Sequence, residues 1–480
     1  MTTGISEPRS YGGWRRSRSM GIGSLDSRQS IVVLSATMLP LLAGTLFGIQ
    51  YAAYLLAPAA VTASLAVARR DGVLLVHLAY AWALWRWAHW RTHTTYLGQV
   101  FTPWPHTFDM PGLLAPTRLL DVAEPGRDRV GVVHNRRTGQ LSATVLLSPA
   151  GALLADADTI DRQVAGWGHL LAGLANDTTI RHAAVTIELT PEPGTQLADH
   201  LTHRTDPAAP QLARQVMGEL LAMAPRASTN LRARLTLTCD PSTGASRART
   251  IPHAIAELLR SLNGLPLAAA GAQILRRASA TDLIRIVRTA YDPDSAAITD
   301  GWETLRWSDA GPIHTREGFE TYRHDRALSA SWSLLEAPRQ RVSHDVLLPL
   351  LSPGRHRRRL TLTYRTLPRE VAAQMLEREL TAAAAREEYR RRTHRDPRAR
   401  DRADADRAAR VAAEEAHGAA LVLWTLYVTV TVTHVDQLAE ARREIEQAAG
   451  HARLKLRPAY GGQAAAFAAG LPCGVYPGDR

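Results

Sequence analysis

Forty consecutive residues, Gln29 to Ala68, contain no Asp, Glu, Lys, Arg or His. A single helix in a soluble core is rarely so long and so free of charge, because its solvent flank needs polar residues. A helix crossing a bilayer needs roughly 20 apolar residues. The run therefore predicts two short spans, Ser30 to Phe47 and Tyr51 to Ala68, with the turn at Gly48, Ile49 and Gln50. Pro40 and Pro58 fall inside the spans, where lipid-buried helices tolerate them once neighbouring groups satisfy the freed carbonyls.

Arginines bracket the run, with Arg15, Arg16, Arg18 and Arg28 before it and Arg69 and Arg70 after it. The positive-inside bias then assigns both ends of a transmembrane hairpin (29–68), and the basic segment 1–28, to the cytoplasm. The apolar run is too long for a cleaved signal peptide and lacks a small-residue cleavage site. Residues 69–100 follow as an aromatic connector. Val73 to Trp90 carries Tyr80, Trp82, Trp85, Trp87 and Trp90 beside Arg86 and His89. It reads as an interfacial helix, with Trp82, Trp85 and Trp90 joining Arg15, Arg16, Arg28, Arg69 and Arg70 as interface anchors. Were it a third span instead, the remaining chain would lie outside.

The rest of the chain has ordinary hydropathy. A boundary is expected near residue 100, where Pro103, Pro105, Pro111, Gly112 and Pro116 mark an irregular connector. Strand patterns at Leu141–Leu147, Ala183–Leu189 and Ala233–Thr238 alternate with helical patterns at Leu153–Leu174, Gln211–Ala224 and Pro252–Leu262. The fold class predicted is α+β, with cytoplasmic domains at 101–328 and 329–480. In the second, strands Ser329–Leu335 and Arg359–Tyr364 flank a basic turn, Pro353–Arg358. A charged helical arm (369–417) follows, with a narrow apolar stripe of Val371, Met375, Leu376 and Leu380. Strand Leu421–Val432, helix Val435–Ala449 and strand Arg453–Leu456 complete the region.

Charge and motifs narrow the chemistry. Lys plus Arg exceed Asp plus Glu by 57 to 45, a net charge of +12 that favours anionic partners, lipid headgroups or nucleic acid. Cys239 and Cys473 lie too far apart in sequence, with no CxxC, to suggest a disulfide framework or a thiolate zinc site. Lys455 is the one lysine and stands in Leu454-Lys455-Leu456, so a Walker A loop is absent. The pairs Gly12-Gly13 and Gly461-Gly462 read as turns and not as a dinucleotide fingerprint. Ser343-His344-Asp345 holds the residue types of a triad, but adjacent side chains point apart. His89 and His93 have ligand spacing without a third ligand. No catalytic, cofactor or metal residues are expected. The run Arg355, Arg357, Arg358 and Arg359, around His356, offers guanidinium forks to a partner or to phosphates.

The order of parts adds a resemblance. Tyr11-Gly12-Gly13-Trp14-Arg15-Arg16, a hairpin and an aromatic helix resemble integral membrane proteins of actinobacterial conjugation loci, whose hairpin is similar to the PrgI family. Leu426 to Val432, the helix from Val435, and Gly462-Gln463 through Phe467 to Leu471-Pro472 are similar to the close of the noncatalytic N-terminal domain of CagE/TrbE-type secretion ATPases. The motor domain of those ATPases would begin where this sequence ends, so hydrolysis is not carried over. The resemblance implies a scaffold in the bacterial cytoplasmic membrane that docks a separately encoded ATPase. Membrane lipid, other membrane subunits and further copies of the chain are the expected partners. A membrane-bound nucleic-acid-guiding protein is the alternative reading, and a membrane enzyme with a dispersed site a third.

Overall fold

The computed structural model describes residues 27–98, 109–151, 155–192, 206, 209–223, 228–242, 250–297, 301–338, 340–392 and 421–478. Helices α1 (Ser27–Phe47) and α2 (Ile49–Val67) form the hairpin, and the residue between them is Gly48, whose φ of 106° suits glycine. Strands β1 (Arg69–Arg70) and β2 (Val73–Leu74) pair around Asp71-Gly72 before α3 (Leu75–Trp90). Both turn residues have positive φ, the geometry that an Asp-Gly hairpin supplies.

The body is mixed α+β. Its strands are β3 (Thr95–Leu97), β4 (Thr117–Val122), β5 (Val130–Asn135), β6 (Leu141–Pro149), β7 (Ile180–Glu192), β8 (Ser228–Cys239), β9 (Ala272–Arg277), β10 (His314–Glu317), β11 (Tyr322–His324), β12 (Ala327–Glu336), β13 (Arg357–Thr366), β14 (Val422–Val432) and β15 (Lys455–Pro458). They form one thirteen-stranded antiparallel sheet in the order β3-β10-β11-β12-β14-β13-β7-β8-β6-β5-β4, with β9 beside β6 and β15 beside β12. The regions expected on either side of residue 328 thus share a sheet, joined where β13 pairs β7 from Arg358↔Leu189 to Arg365↔His182.

Alternation along the strands gives the sheet two unlike faces. On one, Val145, Leu235, Leu237, Leu360, Val428 and Val430 pack under α4 (Ala157–Asn176), α6 (Ile251–Asn263) and α11 (Leu438–His451). Helix α5 (Gln211–Met223) lies between α4 and α6 in sequence and is exposed along its described side chains. The other face is buried yet polar. Its cross-strand hydroxyl pairs are Ser142–Thr238 at 3.0 Å, Thr144–Thr236 at 2.9 Å, Thr186–Thr361 at 3.1 Å, Ser329–Thr431 at 2.8 Å and Ser331–Thr429 at 2.9 Å. Each hydroxyl in these pairs has a partner across the strands, which lowers the cost of burying the face.

Helix α7 (Ala280–Tyr291), short helix α8 (Trp307–Ala310) and the C-terminal segment with α12 (Gln463–Ala469) cover that polar face. The remaining helices are α9 (Leu348–Leu351) and α10 (Arg369–Arg392). Gln463 bonds both backbone groups of Ser331, and Gly470 accepts from Arg234 at 2.7 Å. Gly474 has a φ of 64°, and a Cβ there would stand 1.7 Å from Ser142 Oγ. Gly474→Ala is therefore expected to lower the unfolding free energy in detergent by about 1–2 kcal/mol from the left-handed backbone alone, and by more from the collision. The measurement is unfolding beside Gly478→Ala, whose φ of 94° carries the backbone cost with nothing within 4 Å of the added carbon, so the difference between the two variants reads the collision.

His324 lies under the same cover, fully buried. Its Nδ1 faces the Tyr291 carbonyl, which can only accept, so Nδ1 carries the proton and Nε2 accepts from Ser329 Oγ at 2.8 Å. Burial pushes its pKa down to about 3, with Arg359 and Arg357 adding to the effect and the Tyr291 carbonyl opposing it. The unfolded chain then binds the extra proton first. The contribution of neutral His324 is complete above about pH 6.5 and is lost as pH falls towards 3. By pH 5 the loss amounts to about 2 kcal/mol, read as a falling unfolding free energy between pH 7 and 5.

Candidate functional site: an exposed apolar hairpin joined to the body

Helices α1 and α2 pack on each other, yet most of their large side chains remain uncovered. Leu39, Leu42 and Leu46 of α1 and Tyr54, Leu56 and Val61 of α2 are all exposed, Leu46 to 69% and Tyr54 to 80%. So much contiguous apolar surface on a hairpin is costly in water and marks a contact with something apolar. The threonine hydroxyls inside it are already satisfied. Thr37 donates to Val33 and Leu34 carbonyls, Thr45 to Leu42 and Thr62 to Pro58, all within 3.0 Å. Among the described residues no helix is both long and apolar enough to cross a membrane. In α1 the described side chains run from Val32 to Phe47.

Helix α3 is two-sided. Leu75, Leu78, Ala81, Trp85, Ala88 and His89 are partly covered, at helical spacing, while Tyr80, Trp82, Leu84, Trp87 and Trp90 are exposed. Trp85 departs from its expected place at a lipid interface. Its Nε1 donates to the Glu317 carbonyl at 3.3 Å, and its ring lies 5.7 Å from Phe319 and 5.3 Å from His89. This tryptophan therefore seats α3 on the β10–β11 connection. Trp82 and Trp90 stay on the open face, Trp90 at 77%.

The turn at Asp71-Gly72 gives a second fixing point. Tyr460 donates its hydroxyl to Asp71 Oδ2 at 2.6 Å and stacks on Phe319 at 5.3 Å. Burial and then the Asp71 carboxylate push the Tyr460 phenol up, so it stays a donor. Gly461 follows with a φ of 63°, and its added carbon would lie 3.5 Å from both Ala81 and Trp85. Sequence reading had no role for Asp71, Phe319 or Tyr460. The Asp-Gly pair after two arginines was a legible hairpin signal, whereas its partner lies 389 residues away.

Arg69 and Arg70 are exposed beside this turn. Arg15 and Arg16 lie outside the described residues, and Arg28 falls in the first turn of α1. The charged arm is helical as α10 to Arg392, with Ala372 and Leu376 buried, while residues 393–417 lie outside the described residues. Its stripe is shifted, because Val371 and Leu380 are exposed.

The basic run requires a correction. It is no open turn from 353 to 358, because β13 starts at Arg357 and draws three of the four arginines into the sheet. Arg358 turns to the apolar side and meets Glu444 at 3.5 Å, while Arg357 and Arg359 enter the polar face. Arg355 alone of the four is widely exposed, 3.3 Å from Glu440. On the polar face Arg357 forks onto Glu188 at 2.6 and 2.9 Å, and Arg234 reaches the other Glu188 oxygen at 3.1 Å. Arg359 lies 4.9 Å over the Phe467 ring with its Nε and one terminal nitrogen unpartnered. Burial alone would raise the Glu188 pKa, but Arg357, Arg359 and Arg234 outweigh it and hold the carboxyl well below the usual range.

The sequence candidates for chemistry are not assembled into sites. Ser343 donates to Asp345 rather than to His344. His89 Nδ1 pairs with Thr94 Oγ1 at 3.1 Å, and His93 meets the edge of Trp87. Among the described residues no three His, Cys, Asp or Glu side chains converge as metal ligands. Cys239 and Cys473 are both buried as free thiols, which burial pushes up to about 12. No protein-family model and no curated protein matches the chain.

Proposed function

We propose that the chain is a membrane-anchored scaffold subunit of a conjugation or type IV secretion-like apparatus, whose α+β body docks a separately encoded ATPase. The observation that carries the membrane half is the charge-free hairpin, whose apolar side chains are uncovered and whose threonine hydroxyls all return to their own helix. The charge-free part of α1, 29–47, and α2, 49–67, each amount to about 28 Å of helix, close to the roughly 30 Å of hydrocarbon in a bilayer. Arg69 and Arg70 then sit at the headgroups, and the open face of α3 lies along the interface with Trp82, Trp87 and Trp90 at headgroup level. Trp85 and Asp71 hold the body against that platform.

The docking half rests on the resemblance of the β14-to-α12 region to the noncatalytic part of secretion ATPases. Nucleic-acid guiding by the 355–359 run is disfavoured, since Arg357, Arg358 and Arg359 are engaged internally. The test is recovery of the full chain in mild detergent after crosslinking in cells. Copurification of an ATPase encoded beside it is the expected result. A monomer that brings down no ATPase contradicts the docking role while leaving the anchor intact.

A further inference from the structure

Between the polar face of the sheet and α7 lies a cavity of about 270 Å³. That is room for several waters, at about 30 Å³ each, or for one small ligand. Four guanidiniums line it, Arg232, Arg234, Arg276 and Arg285, against two carboxylates, Glu188 and Asp282. Both carboxylates are already engaged. Asp282 takes the fork of Arg276 and caps α7 through Ser279, and Glu188 serves Arg234 and Arg357.

Arg285 has no carboxylate partner among the described residues. Its Cζ stands 5.5 Å over the Trp302 ring, and its buried Nε finds no acceptor. Arg234, 3% exposed, likewise leaves its Nε unpartnered. Buried donors without acceptors are uncommon and call for a missing partner. With four guanidiniums against two engaged carboxylates, the lining favours an anion over a neutral occupant, and guanidinium groups match the oxygens of phosphate. Leu146 and Ile286 supply apolar wall.

We propose that this cavity binds a phosphate-bearing small molecule, its phosphate held by Arg234, Arg285 and Arg232 and its organic part against Leu146 and Ile286. The site is independent of the membrane and ATPase readings. Arg232 is exposed at the rim and so is placed to admit the ligand.

The test is thermal unfolding of the full chain in detergent, titrated with inorganic phosphate and with adenosine monophosphate, with adenosine and sodium chloride at matched ionic strength as controls. A saturable rise in midpoint with adenosine monophosphate and none with adenosine is expected, because ligand bound to the folded state alone raises its stability. A parallel rise with inorganic phosphate also supports the site and assigns recognition to the phosphate itself. Arg285→Gln is expected to weaken the binding at least about tenfold, the cost of a lost charged hydrogen bond, and Arg355→Gln to leave it unchanged. Arg232→Gln, at the exposed rim, carries the test should Arg285→Gln not fold. The proposal is overturned if sodium chloride gives an equal shift, if neither phosphate compound shifts the midpoint, or if the cavity variant that folds binds like the parent.

Discussion

Glu188→Gln is expected to destabilise the body by about 3–5 kcal/mol, the range for removing one member of a buried ion pair. Glu188 is the carboxylate on which Arg357 and Arg234 converge, all three with side chains at most 12% exposed. The amide keeps the shape but not the charge, so both guanidiniums and the nearby Arg359 repel one another in a medium that screens weakly. The measurement is denaturant unfolding in detergent. Glu440→Gln, which loses only the exposed pair with Arg355, serves as the control and should change stability by less than about 1 kcal/mol. Acid should act in the same direction. Because its folded-state pKa is depressed, the Glu188 contribution is present above about pH 4.3 and disappears as pH falls further, below most of the window in which His324 acts.

The second large effect concerns the anchor. Leu39 and Leu56 lie in the central parts of α1 and α2, both about 60% exposed. An arginine at the centre of a spanning helix costs about 2.5–3.5 kcal/mol, so Leu39→Arg with Leu56→Arg together oppose insertion by about 5–7 kcal/mol. The double variant is expected to leave the membrane fraction or to be released by alkaline carbonate, while the parent stays in the pellet. Leu212→Arg, on the exposed helix α5, should not change the partition. Retention of the double variant in carbonate-washed membranes would count against a spanning hairpin.

The hairpin was the most legible part of the chain, because absence of charge over forty residues is a one-dimensional signal, and Gly48 supplies the break where expected. Strand cores such as Leu141–Leu147 and Ala233–Thr238 were also legible from their periodicity. What periodicity hides is which chain is the neighbour. The sheet joins β7 to β13 across about 170 residues, so a boundary near 328 looked reasonable along the chain and is bridged in space. The arginine run was misread for a related reason. Arg-rich segments are usually solvated, and nothing local in Arg355–Arg359 announces that Glu188 waits on the adjacent strand, opposite Arg359 in register. Serine and threonine in the strands carry no local sign of burial either, and their hydroxyls pair across strands beneath the C-terminal segment.

The hairpin's attachment to the body was half legible. Tryptophan density before residue 91 identified a surface helix, but the distinction between Trp85, which docks on Glu317 and Phe319, and Trp82, which faces outward, depends on partners distant in sequence. The Asp71–Tyr460 bond ties the first structured element after the hairpin to the last segment of the body.

The most direct measurement of the central claim is labelling of single cysteines by a membrane-impermeant maleimide in intact and lysed cells, with Phe47→Cys at the hairpin turn and Arg326→Cys on the exposed body. The native Cys239 and Cys473 are buried and give little background. A bilayer-spanning hairpin with a cytoplasmic body predicts that Phe47→Cys labels in intact cells and Arg326→Cys only after lysis. Labelling of both positions in intact cells, or of neither until lysis, would contradict it.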